Sequence, residues 1–162
     1  MRDLEAIRKR IPLRYPYLML DRVLEDGPDR VVALKNVSIG EPVFQGHFPE
    51  PFPAILPGTL VLEAMAQTAA FLLEPVGEGP ALGYLVGVEA ARFRRKVVPG
   101  DQLRLEAKRV RCRRGLLQAE VTASVDGEVA ASATLSLLLA RQGEPLARPG
   151  EPLASESEAQ AP

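Results

Sequence analysis

Two ionisable residues stand out in this 162-residue chain because their neighbours are apolar or turn-forming: His47 and Glu63. His47 is the single histidine, set in Gln45-Gly46-His47-Phe48-Pro49. An imidazole takes and returns protons near neutral pH, which suits it to general base and general acid work. Gly46 lets the backbone approach a neighbour closely, and Phe48 with Pro49 would hold the ring in a poorly hydrated place. A lone histidine is also compatible with an incidental position, and residue type does not decide between the two.

Glu63 falls early in Pro57-Gly58-Thr59-Leu60-Val61-Leu62-Glu63-Ala64-Met65-Ala66-Gln67, whose other residues read as buried. One reading is a partly exposed carboxylate favoured by the positive end of a helix. The other is a carboxyl group in an apolar pocket, its pKa raised so that it stays protonated and acts as an acid. Gln67 lies one turn later on the same face, placed to orient it. Gly58 opens the helix, where unpaired backbone N–H groups would receive a developing enolate-like oxygen. Together these groups suit proton removal beside a carbonyl with departure of a β-hydroxyl. The sequence shows no nucleophile paired with a base, no metal-ligand cluster and no phosphate loop.

The elements that must position these groups follow from hydrophobic spacing. Residues 3–10 read as a short amphipathic helix capped by Asp3, with Leu4, Ile7 and Ile11 on one side and Pro12 ending it. Strands are expected over 17–24 and 30–39, joined by Gly27-Pro28-Asp29. Residues 40–58 form a loop rich in Pro and Gly but anchored by Val43, Phe44, Phe48, Phe52 and Ile55. Pro57 to Leu73 is the best helix, apolar over a wide arc and therefore buried on several sides, with Glu74-Pro75 stopping it. After a turn at 77–80, strands are expected over 81–93, 101–113, 116–125 and 128–140, with Asp126-Gly127 the strongest hairpin signal. Roughly six antiparallel strands around one helix make an α+β arrangement, and pairing two subunits edge to edge would protect its open edges. One domain over 1–140 and a disordered tail over 141–162, rich in Pro, Glu, Ser and Ala, are expected.

Composition agrees with a globular domain: 46% hydrophobic and 25% charged residues, net charge −1. The basic run Arg92-Phe93-Arg94-Arg95-Lys96 fits a solvated face or a docking surface for an acidic carrier protein. One interleaved aromatic and no net positive charge argue against nucleic acid. Nothing resembles a secretory signal, and the longest apolar stretch is too short for a bilayer, so a cytoplasmic location without membrane contact is expected. Cys112, the single cysteine, excludes an intramolecular disulfide and reads as a half-buried strand residue.

Several stretches together resemble the FabZ-type (3R)-hydroxyacyl-[acyl carrier protein] dehydratases of bacterial fatty acid synthesis. They are Ile11-Pro12-Leu13-Arg14-Tyr15-Pro16-Tyr17-Leu18-Met19-Leu20-Asp21-Arg22-Val23, Asn36 to Pro49, Pro57 to Gln67, and Gly87 to Leu103, in order within residues 5–140. The resemblance implies a hot-dog fold, an antiparallel sheet wrapped around one long central helix. It implies a dimer, assembling as a trimer of dimers, with His47 of one chain facing Glu63 of the other. The substrate would be a (3R)-3-hydroxyacyl group on the phosphopantetheine arm of acyl carrier protein, converted to the trans-2-enoyl product without a further cofactor or metal. His47 would remove the C2 proton, Glu63 would assist departure of the C3 hydroxyl, and the Gly58 N–H would polarise the thioester carbonyl. Arg94 and Arg95 match the family's basic surface near the tunnel mouth. Glutamate at 63 is similar to this family rather than to its dehydratase–isomerase relatives, which carry aspartate. The chain departs from the pattern at Leu13 (usually His), Glu50 (Gly) and Lys96 (Pro), and its segment from His47 to Gly58 is two residues longer. An R-specific enoyl-CoA hydratase, a hot-dog thioesterase and a non-catalytic acyl-binding regulator share the fold and stand as alternatives.

Overall fold

A computed structural model describes residues 1–48, 50–74, 80 and 82–140. The expected tail over 141–162 and most of the turn after the central helix lie outside the described residues.

The chain opens with α1 (Leu4–Arg10), whose first turn is closed by Asp3 accepting a hydrogen bond from Ala6 N (3.0 Å). Glu5 stands in its first turn and Arg8, Lys9 and Arg10 in its last, matching the helix dipole. There follow β1 (Arg22–Asp26), β2 (Arg30–Asn36), a short 3-10 helix (Pro42–Gln45), α2 (Gly58–Ala70), β3 (Leu82–Phe93), β4 (Gln102–Arg113), β5 (Leu116–Val125) and β6 (Glu128–Ala140). The strands form one antiparallel sheet in the order β1-β2-β4-β5-β6-β3.

Period-two alternation aims one face of this sheet at α2. Leu103, Leu105 and Ala107 of β4, Leu117, Ala119, Val121 and Ala123 of β5, and Leu135 and Leu137 of β6 are buried on that face. From Ala64 to Ala70 every residue of α2 is buried, and the helix touches β2 to β6. Four alanines in that run let the strands close in around the helix. The two long hairpins follow the turn chemistry: Arg114-Gly115 (φ 51° and 78°) and Asp126-Gly127 (φ 50° and 84°) are both left-handed pairs.

The structure differs from the sequence reading at several places, among them β2, which ends at Asn36 rather than at 39. The first strand begins at Arg22, not at 17, because the backbone before it is claimed by turns and by Gln67 (below). Helix α2 ends at Ala70, three residues short of Leu73. There the carbonyls of Phe71 and Leu73 turn to Arg10 Nη2, and that of Leu72 accepts from Arg109 Nη2 at 2.7 Å. Cys112 is exposed rather than half-buried, in the run 110–113 that follows the register shift between Arg109 and Arg111.

Among the described residues strand β3 pairs only with β6, at one edge of the sheet. Twelve residues long, it exposes Leu82, Leu85, Val86, Val88 and Phe93. A long apolar edge of this kind calls for cover.

On the outer face, Glu106 accepts from Arg30 Nη2 (2.8 Å) and pairs with Lys108 Nζ (3.0 Å). These cations, Arg30 foremost, hold its pKa down from an ordinary 4.5 to about 2. A carboxylate depressed in the folded state stabilises fully above its unfolded pKa and loses that contribution as pH falls through the folded one. Between pH 4.5 and about 2 the wild-type protein should therefore lose a stability increment that Glu106→Gln never had. Denaturant midpoints measured across that range should converge for the two proteins at the acid end; curves that stay parallel would refute the assignment.

Candidate active site

His47 is held from two sides. Its backbone N–H donates to Val43 O (2.9 Å), wrapping the chain back on the 3-10 helix. Its ring Nδ1 lies 2.9 Å from Ile55 O. A carbonyl only accepts, so Nδ1 carries the proton and the neutral ring keeps its lone pair on Nε2. The ring stacks on Phe48 at 4.0 Å between centroids, and Phe48 meets the edge of Phe52 at 6.5 Å. Phe48 and Phe52, both exposed, thus form a stack beside the imidazole, which is half-buried.

The loop then feeds α2. Leu56 N donates to Val97 O (2.8 Å), and Pro57 O accepts from Leu60 N and Val61 N. No side chain caps this helix start and no acid sits in its first turn. The positive end of the dipole is left uncompensated, as a developing oxyanion would require. Gly58 lines a pocket of about 350 Å³ together with Ile55, Val61, Phe93, Arg94 and Arg95. A Cβ on residue 58 would stand 2.9 Å from Phe93 Cε1, so only glycine lets that ring lie across the helix start.

Glu63 sits half-buried one turn further on, its Oε1 accepting from Gln67 Nε2 (2.8 Å). Gln67 is 3% exposed and fully engaged: its Nε2 also donates to Tyr17 O (2.6 Å) and its Oε1 accepts from Met19 N (2.9 Å). One amide side chain therefore fastens the segment before β1 to α2 and orients the carboxyl group. Glu63 and Gln67 line a second pocket, of about 280 Å³, with Leu13, Ala70, Tyr84 and Leu85.

Within the chain, then, Glu63 and Gln67 come together, and Gly58 joins Arg94 and Arg95. Among the described residues no hydrogen bond or ion pair links His47 to Glu63, and the two pockets share no residue. The basic pair divides its labour. Arg94 is exposed, with Nη1 on Ser132 Oγ (2.7 Å). Arg95 is turned inward, donating to both oxygens of Asp101 (2.7 and 3.2 Å) and reaching Glu128 (3.3 Å). Its hydrogen bond holds the Asp101 carboxyl below its usual range, with Val98 N assisting. Sequence reasoning missed this pairing, for which the signal was an aspartate at the Pro99-Gly100 turn. It also missed Phe93 as the cover of Gly58.

Comparison with known proteins bears on the chemistry. A family model described as "FabA-like domain" matches residues 11–134. The 3-hydroxyacyl-[acyl-carrier-protein] dehydratase FabZ of Streptococcus agalactiae serotype V is 47% identical over 140 residues, 86% of this chain and 99% of that protein. The FabZ of Deinococcus radiodurans is 48% identical over 136 residues, 83% of this chain and 92% of that one. Among solved structures, a chain of the dehydratase heterocomplex ApeI:P from Xenorhabdus doucetiae superposes with TM-score 0.70 at 20% identity, covering 84% and 91%. A hypothetical thioesterase with coenzyme A from Streptococcus pneumoniae TIGR4 does so with TM-score 0.57 at 14% identity, covering 75% and 86%. At such identities the structural likeness speaks for the hot-dog fold alone.

Removing the amide of Gln67 should cost stability. Gln67→Leu strands the Met19 N–H and the Tyr17 carbonyl, two groups at ~1–3 kcal/mol each, for a total of roughly 2–6 kcal/mol. Chemical denaturation of wild type and variant measures it; a loss below ~1 kcal/mol would mean that the segment before β1 is held by packing instead.

Proposed function

The chain belongs to the FabA-like family, with the FabZ dehydratases as its relatives, and from that premise we propose how its residues carry out the reaction. The protein is an enzyme that dehydrates 3-hydroxyacyl-[acyl carrier protein] in fatty acid biosynthesis. The observation that carries the mechanism is the Nδ1–Ile55 hydrogen bond of His47, which leaves Nε2 as a fixed base.

Nε2 takes the C2 proton of the acyl thioester. Charge moving onto the thioester oxygen meets the Gly58 N–H at the uncapped start of α2. Protonated Glu63, oriented by Gln67, donates to the C3 hydroxyl, which leaves as water. The C2–H and C3–O bonds break, the C2–C3 double bond forms, and the proton on His47 is passed back to Glu63 or to solvent. The (3R) substrate and trans-2-enoyl product are our reading, as is a reaction with no group beyond the phosphopantetheine arm that carries the acyl chain.

Among the described residues no hydrogen bond or ion pair links His47 to Glu63, and the base is taken to meet the acid of a second subunit. Pairing of two β3 strands, edge to edge, would continue the sheet, cover the exposed apolar residues and place one loop against the other subunit's α2. Three such dimers would complete the working assembly. The carrier protein, which is acidic, is placed against exposed Arg94 beside the pocket at Gly58; Arg95 shapes that surface from beneath through Asp101. A cytoplasmic location fits this chemistry. Among the described residues no helix is long and apolar enough to cross a membrane.

With a 3-hydroxyacyl carrier protein the enzyme should yield the conjugated enoyl thioester, followed by its ultraviolet absorbance. His47→Ala and Glu63→Gln should each lower kcat by ~10²- to 10⁴-fold with native assembly retained. Wild-type turnover in either variant would remove that residue from the mechanism, and hydrolysis to the free acid would point to a thioesterase. Arg94→Glu should raise KM for carrier-protein thioesters and leave coenzyme A thioesters unaffected; an unchanged KM would dismiss the docking surface.

A further inference from the structure

Alternation along β2 places Val31, Ala33 and residue 35 on the face that packs toward α2. The first two are 0% exposed, and residue 35 is a lysine at 5%. An apolar side chain is what that position would ordinarily hold, since an ammonium group is costly to bury. Lys35 Nζ instead reaches Glu41 Oε2 at 2.9 Å and Asn36 O at 3.4 Å. The other oxygen of Glu41 accepts from Ser38 N (3.0 Å), whose carbonyl in turn accepts from Glu41 N (3.0 Å). Both carboxylate oxygens are occupied, and the residue is locked in direction as well as position.

Glu41 is also the point from which the His47 loop is built. Its carbonyl accepts from Phe44 N (3.1 Å) to start the 3-10 helix, and Val43 O in that helix accepts from His47 N (2.9 Å). A continuous path of bonds therefore runs from the rigid sheet, through Lys35 and Glu41, to the backbone of His47. Phe44, 8% exposed, also anchors the loop, but apolar burial is non-directional and does not aim a ring.

We infer that Lys35 and Glu41 are positioning residues for His47: the ion pair of the buried lysine with the half-buried glutamate sets the loop geometry in which the imidazole works. Stability alone does not call for such a pair, because apolar groups of similar volume commonly replace a buried ion pair without loss. The inference rests on the reading of His47 as the base, and it adds the element that aims it.

The test uses the full-length enzyme with a 3-hydroxyacyl carrier protein. Lys35→Met/Glu41→Gln removes both charges together and keeps an acceptor for Ser38 N. Its thermal midpoint and KM should stay near wild type while kcat falls ~10- to 100-fold, the cost of a small displacement of a catalytic group. Placed on His47→Ala, the same pair of changes should cost nothing more. Glu41→Asp, which keeps the charge but shortens the arm, should lower kcat in the same direction without changing KM, and it serves should the double variant not fold. Wild-type kcat in the double variant or in Glu41→Asp, or a further loss on the His47→Ala background, would overturn the inference while leaving the base assignment intact. Full activity of His47→Ala itself would overturn the base assignment, and this inference with it.

Discussion

The structure depends on the burial of α2. From Ala64 to Ala70 the helix has no solvent face, so each polar group it carries there must find a partner. Thr68 returns its hydroxyl to Ala64 O (2.9 Å), and Gln67 spends its whole amide on Tyr17, Met19 and Glu63. The small residues that let the strands approach also leave no room for wide side chains, which makes the one carboxyl group on this helix conspicuous.

The two ends of the helix are treated in opposite ways. Carbonyls at its C-terminal end are collected by Arg10 and Arg109, one from α1 and one from β4, tying three elements at one point. Burial lowers the pKa of Arg10, as expected for a guanidinium held largely by neutral carbonyls. At the N-terminal end no side chain among the described residues supplies a cap, and Gly58 lines a pocket together with Phe93. One end is tied to its neighbours, and the other is the end to which the proposed mechanism assigns the thioester oxygen.

Polar residues on the inner face follow the same logic. Lys35 is tolerated among apolar neighbours because Glu41 answers it, and that pair carries structural information outward into the loop of His47. Arg95 is half-buried and held by Asp101, whereas Arg92, Arg94 and Lys96 of the basic run stay exposed.

How much of this was legible beforehand can be traced residue by residue. Local rules determined the Asp3 cap, the left-handed Asp126-Gly127 pair and the limits of β5 and β6, because each depends on neighbours in the chain. The helix carrying Glu63, the apolar loop carrying His47 and the pairing of Glu63 with Gln67 were also readable, since a four-residue spacing fixes which side chains share a helix face. What needed the tertiary structure were bonds between distant segments: Gln67 claiming the backbone of Tyr17 and Met19, which delays β1, and Arg10 and Arg109 ending α2 early. The tautomer of His47 is of this kind too, set by a carbonyl across the loop. Periodicity reports which way a side chain points, but only the folded chain decides what it meets there.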